Sequence, residues 1–178
     1  MAKRDPLADP APLVRRVYAY VAYRIGDGAD AEDVTSATFE RAIRYRDQFD
    51  PERGEPAAWL VGIARRCLSD HFAERAIPVA EVPEAVAPGD LAADSAAGID
   101  LHRAVGTLSE RDRELIALRY GADLTARQIA RLLELRTNAV EVALHRALQT
   151  LRQTLESSDV PAAAAAAGEP GRGVEAPR

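Results

Sequence analysis

The sequence predicts an all-α chain: two small helical domains joined by a flexible acidic linker, the C-terminal one a helix-turn-helix. Three observations carry this. Apolar residues recur at helical spacing through residues 12–75 and again through 101–156. Between them, residues 76–98 (AIPVAEVPEAVAPGDLAADSAAG) are rich in Pro, Ala and acids and hold no Lys or Arg. Within the second half, Leu108–Leu155 reads as helix, turn, helix, turn and long helix, the pattern of a DNA-binding helix-turn-helix.

Taken in order, residues 1–11 are expected to be disordered. Pro12 suits the first turn of a helix running to Ile25, with Leu13, Val17, Tyr20 and Val21 on one face. Gly26 and Gly28 break it. Asp30 and Glu32 start a second helix, since acids are favourable at the positive end of the helix dipole. Val34, Phe39, Ala42 and Ile43 are its expected burying groups, and it ends near Asp47. Gln48–Glu55 is a loop by its Pro and Gly. Pro56 opens a third helix to about Arg75, with an apolar stripe of Leu60, Ile63, Ala64, Cys67, Leu68 and Phe72. Gly62, Arg65, Arg66 and Ser69 lie opposite. Trp59 sits at the stripe's edge, and His71 is expected partly buried and hydrogen-bonded. The linker follows over 76–100.

In the second half, Arg111–Tyr120 is a helix burying Leu115, Ile116, Leu118 and Tyr120, and Gly121 is expected to cap it in the left-handed conformation. Thr125 and Gln128 have capping-box spacing at the start of the next helix, whose apolar side is Ile129, Ala130, Leu132 and Leu133. Leu135–Thr137 is a break. Asn138 opens the last helix, where Val140, Leu144, Ala147, Leu148, Leu151 and Leu155 bury one side. Asn138, Glu141, Val142, His145, Arg146, Gln149 and Arg152 face outward. Residues 157–178 have too little apolar bulk to pack and are expected to be a disordered tail.

Net charge divides unevenly. Of the −5 overall, residues 76–100 carry five acids and no base, whereas 101–156 carry nine bases against seven acids, net +2. The helix-turn-helix half is therefore the one basic part. A charge of +2 is still weak attraction, since each phosphate neutralised adds a salt slope of only ~0.9. The single cysteine, Cys67, excludes a disulfide framework and suits a reducing cytosol. No apolar run approaches the ~20 residues of a membrane span, and the N-terminus lacks the apolar core of a secretion signal. Cytoplasmic location and no membrane insertion are expected. His71, His102 and His145 are far apart in sequence, and no nucleophile elbow, zinc-protease, phosphate-loop or dinucleotide motif is present. No enzyme activity, catalytic residue, metal or cofactor is expected.

The segment TLSERDRELIALRYGADLTARQIARLLELRTNAVEVALHRALQTLR resembles domain 4 of extracytoplasmic-function sigma factors, the promoter-specificity subunits of bacterial RNA polymerase. Leu108, Arg111, Arg113, Leu115, Leu118, Arg119, Tyr120, Ile129, Ala130, Leu133, Val140, Leu144 and His145–Leu148 carry the match. Autonomous regulators of the LuxR type share its helix-turn-helix half. Upstream, DAEDVTSATFERA (Asp30–Ala42) and FDPERGEPAAWLVGIARRCLSDH (Phe49–His71) resemble domain 2 of the same family, in the family's order.

The resemblance implies a transcription initiation factor that binds core RNA polymerase and directs it to promoters. It implies polymerase contact by Asp30, Glu32, Asp33 and Phe39. It implies −10 recognition by Asp50, Glu52, Arg53, Gly54, Glu55, Arg65 and Arg66, and −35 recognition by Arg136, Asn138, Glu141, His145, Arg146 and Gln149, with Arg127 and Arg131 on phosphates. The implied partners are the clamp of the polymerase β′ subunit, the flap of its β subunit, promoter DNA and an anti-sigma factor. The linker would thread the polymerase toward the RNA path. The alternative is an autonomous helix-turn-helix regulator, or a degenerate sigma-like protein acting through protein contacts. The chain departs from the family where Glu134 replaces the usual turn glycine and where Glu141, Val142 and Ala143 replace basic or small polar residues.

Overall fold

A computed structural model describes residues 5–75 and 103–158. The expected linker over 76–100 and tail over 157–178 lie almost wholly outside these residues. The described residues form helices α1 (Pro10–Ile25), α2 (Ala29–Tyr45) and α3 (Pro56–Arg75), then α4 (Glu110–Ile116), α5 (Ala126–Leu133) and α6 (Thr137–Ser158). A 3-10 turn (Arg46–Gln48) follows α2, and a π turn (Ala117–Gly121) follows α4.

The first half is a three-helix unit. Helix α1 begins at Pro10, two residues earlier than the sequence suggests, and ahead of it Pro6 is buried and Leu7 packs on the core. It buries Val17, Tyr20 and Val21. Gly26 and Gly28 take φ of 92° and 123°, conformations closed to most side chains, so α1 can reverse into α2 within three residues. Helix α2 buries Ala31, Val34, Thr35, Thr38 and Ala42, and Thr38 returns its hydroxyl to the Val34 carbonyl at 2.7 Å. Two expected core residues are not core. Ile43 is 57% exposed, being one helical step, about 100°, past the buried row. Phe72 on α3 is 42% exposed, because the buried row there ends at Leu68. Phe49 is buried instead, its ring 5.5 Å from that of Trp59, so the aromatic pair anchors the loop that enters α3.

The second half holds the helix-turn-helix. Ser109 caps α4 by accepting from the Asp112 N–H. The expected uniform helix to Tyr120 does not form. At Ala117 the chain widens into a π turn, and the Ala122 N–H bonds the Ala117 carbonyl at 2.9 Å. The extra residue rotates the rest of the turn, which leaves Tyr120 50% exposed while Leu118 is fully buried. Gly121 is not the left-handed residue either; Asp123 is, at φ 52°. Helix α5 opens on the predicted capping box. Thr125 Oγ1 accepts from the Gln128 N–H at 3.3 Å, and Gln128 Oε1 accepts from the Thr125 N–H at 2.8 Å. Glu134 then makes the turn at φ 56°, ψ 39°, a conformation costing a non-glycine residue roughly 1–2 kcal/mol. The turn made by a glycine in the family is thus made here by a glutamate in the left-handed conformation. Helix α6 buries Val140, Leu144, Ala147 and Leu151 as predicted.

The two halves are packed together. One apolar cluster runs from Val17, Tyr20 and Val21 of α1 through Leu60, Ala64 and Leu68 of α3 to Leu115, Leu118, Leu124, Ile129 and Val140. A smaller cluster of Ala104, Val105, Leu108, Ile116, Ala147 and Leu151 lies beneath α6.

Candidate nucleic-acid interface

Helix α6 presents a continuous polar face. With Val140, Leu144, Ala147 and Leu151 turned inward, the 3.6-residue period leaves Asn138, Glu141, His145, Arg146 and Gln149 exposed on the other side. Arg136, in the turn before α6, and Arg127 and Arg131, on α5, are exposed as well. All eight residues expected at a −35 element thus have free surface. Val140 and Leu144 cluster with Ile129 and Ala130 of α5, and Ala147 and Leu151 with Val105, Leu108 and Ile116, which fixes the angle at which the face is held. This is the arrangement in which a second helix enters a major groove while the first crosses the backbone.

The residues expected to read a −10 element sit on α3 and the loop before it. Asp50 shapes that loop: its Oδ1 accepts from the Glu52 N–H at 3.0 Å, and its carbonyl from the Arg53 N–H at 3.1 Å. Glu52, Arg53, Glu55 and Arg66 are exposed, and Gly54 is half-buried. Arg65 is half-buried and its Nε donates to Glu114 of α4 at 2.7 Å. The Tyr20 phenol lies next to this pair. Burial and the Glu114 carboxylate raise its pKa, against the smaller opposing effect of Arg24 and Arg65, so the hydroxyl stays protonated throughout the ordinary pH range.

Residues expected at the polymerase lie on α2, between Asp30 and Phe39. Asp30, Glu32 and Asp33 are exposed on its outer face, and Phe39 packs half-buried against the core. Asp30 also ties α2 to the end of α3. It is ion-paired with Arg75, and its Oδ2 lies 3.9 Å from Nε2 of His71, which is partly buried as expected. Arg41 and Asp70 make a second link between the same helices at 2.7 Å. These exposed pairs add little to the apolar packing of α2 on α3, which sets how the acidic and the arginine-bearing surfaces are related.

Sequence reasoning missed the contacts across the two halves. Gln128 Nε2 donates to Glu55 Oε2 at 3.0 Å, and Arg131 donates to the Arg53 carbonyl at 2.9 Å. The loop expected at the −10 element and the helix expected on −35 phosphates therefore face each other across a groove of about 1000 Å3. Glu114, Arg16 and Arg24 carry no local motif, and pairs separated by 49 to 107 positions leave no periodic signal.

Among the described residues no cluster of His, Cys, Asp and Glu is arranged to hold a metal ion, and no helix is long and apolar enough to cross a membrane.

Comparison with known proteins matches residues 11–76 to the Sigma-70 region 2 family and residues 99–151 to the Sigma-70 region 4 family. The chain is 33% identical over 147 residues to the ECF RNA polymerase sigma factor BldN of Streptomyces coelicolor, covering 78% of this chain and 56% of BldN. It therefore spans little more than half of that relative's length. It is also 33% identical over 171 residues to the ECF RNA polymerase sigma factor SigD of Mycobacterium bovis, covering 86% of this chain and 77% of SigD. Its fold matches that of the sigma factor RpoE of Bartonella quintana, solved in complex with the anti-sigma factor NepR. The TM-score is 0.63 at 21% identity, over 81% of this chain and 92% of that one.

Proposed function

The chain belongs to the extracytoplasmic-function sigma factors, transcription initiation factors of RNA polymerase, and from that premise we propose how its two halves divide the work. Helix α2 binds the clamp of the polymerase β′ subunit through Asp30, Glu32 and Asp33, with Phe39 setting the helix on the core. The 50–55 loop, Arg65 and Arg66 open and read the −10 element. The outer face of α6 reads the −35 element from Asn138 to Gln149, while Arg127, Arg131 and Arg136 neutralise phosphates. The second half also meets the flap of the β subunit. An anti-sigma factor is a further proposed partner, and the cytoplasm the proposed location.

The observation that carries this division is the separation of surfaces. The exposed carboxylates of α2 repel DNA and suit a protein partner, whereas the exposed face of α6 carries the groove-reading residue types. An autonomous helix-turn-helix regulator would leave α1–α3 without a task, and residues 11–76 match a sigma region in their own right.

The test is polymerase binding. Asp33 is exposed and outside the buried row of α2, so Asp33→Arg reverses a charge without disturbing packing. Its affinity for core polymerase is expected to fall on the order of tenfold, the loss of one good interfacial charge contact of about 1.4 kcal/mol. Helical content by circular dichroism should not change. Wild-type affinity in the variant would remove Asp33 from the interface.

A further inference from the structure

We propose that Val142 is a specificity-determining residue, and that what it reads is the C5 methyl of a thymine in the −35 element, an inference that rests on the reading of α6 as the −35 recognition helix. Among the described residues of α6, Val142 is the only exposed large apolar side chain, at 51%. A lone exposed valine on an ordinary surface calls for no explanation. This one has a particular place.

At about 100° per residue, the buried Val140, Leu144, Ala147 and Leu151 fall within about 60° of one another around α6. Val142 lies about 190° round the helix from the centre of that row. Asn138 and His145 flank it on one side and Arg146 on the other, all three exposed. Val142 is thus the crest of the outer face, in the second turn of a helix that begins at Thr137. Ala139, three positions earlier and adjacent on the helix surface, is exposed and adds only a methyl. Near its N-terminal end the crest is therefore apolar, with polar groups on both flanks.

A recognition helix enters the major groove by its N-terminal part. Its flanks meet the phosphate walls, and its crest meets the base edges. Those edges offer hydrogen-bond donors and acceptors and one apolar group, the thymine C5 methyl. Valine can satisfy no donor or acceptor. Set against a purine N7 or a cytosine amino group, it would shut water from a polar atom and return no hydrogen bond. Set against the methyl, it buries apolar surface on both partners. The chemistry at the crest therefore selects thymine.

The test uses the full chain assembled with core RNA polymerase. Random-sequence duplexes are passed over this complex, and the upstream motif shared by those it retains defines its −35 element. Each thymine there is then replaced singly by deoxyuridine, which lacks only the methyl. At one position the replacement is expected to lower affinity about 4-fold, the weight of one buried methyl group. Val142→Ala should lose about as much on the thymine duplex and nothing further on the deoxyuridine duplex, since both changes remove the same contact. Val142 is exposed and alanine is the better helix former, so the variant keeps its fold. A −35 element without thymine, or one whose thymines all tolerate deoxyuridine, would overturn the assignment and leave the −35 reading standing. Equal loss on deoxyuridine in wild type and in Val142→Ala would give the methyl to another residue and overturn the assignment as well. Retained duplexes with no shared upstream motif would overturn the reading of α6 itself, and the assignment with it.

Discussion

Leu118→Ala is expected to lower the free energy of unfolding by about 2–5 kcal/mol, the range for truncating a fully buried leucine, and to lower it for both halves at once. Leu118 has no exposed surface and belongs to the apolar cluster shared by α1, α3 and the helix-turn-helix. Its turn is the part of the second half that lies on α1. If the halves share a core, they unfold in one transition, and the variant moves it as a whole, on the order of 10 °C in Tm. Thermal unfolding followed by circular dichroism, with the single tryptophan, Trp59, reporting on the first half, measures this. Two transitions, of which only the one silent in Trp59 shifts, would show that the halves have separate cores.

Glu141→Gln is expected to remove discrimination at one base pair, worth ~1–3 kcal/mol for a good contact. Glu141 is exposed near the start of α6, on the face opposite Val140 and Leu144. A recognition helix enters the groove by its N-terminal part. A carboxylate in the groove would face a wall of phosphates, a position that is unfavourable unless it accepts from a base, and cytosine N4 is the donor that a carboxylate characteristically pairs with. Glutamine keeps the size and removes the charge. Promoter-binding assays across single-base variants of the −35 element, repeated at several salt concentrations, separate the outcomes. Loss of preference at one position supports base reading. A uniform gain in affinity would mean that Glu141 only repels phosphate. No change in affinity, salt slope or preference would mean that this helix does not read the groove.

Elements governed by local chemistry are legible in the sequence. The capping box at Thr125 and Gln128, the buried row of α6 and the glycine break between α1 and α2 each depend on residues a few positions apart. The turn at Glu134 is legible as the position where the family's glycine is missing, but its left-handed conformation is not. Features set by a change of period are not. An apolar pattern read at 3.6 residues per turn places Tyr120 inside, whereas the π turn at Ala117–Gly121 puts it outside. Gly121 reads as a helix cap because glycine serves both caps and close approaches, and only the position of Tyr20 distinguishes them. The candidate site divides likewise. The face of α6 follows from periodicity, but the pairing of Arg65 with Glu114 and of Glu55 with Gln128 depends on how distant segments fold together.

The central claim, that this chain is a promoter-directing subunit of RNA polymerase, is tested most directly by transcription in vitro. Purified chain is added to core polymerase on a library of promoter-bearing templates. Initiation at particular promoters that depends on the chain is the expected result. Tight, sequence-specific DNA binding by the chain without polymerase, together with no stimulation of initiation at any promoter, would contradict it.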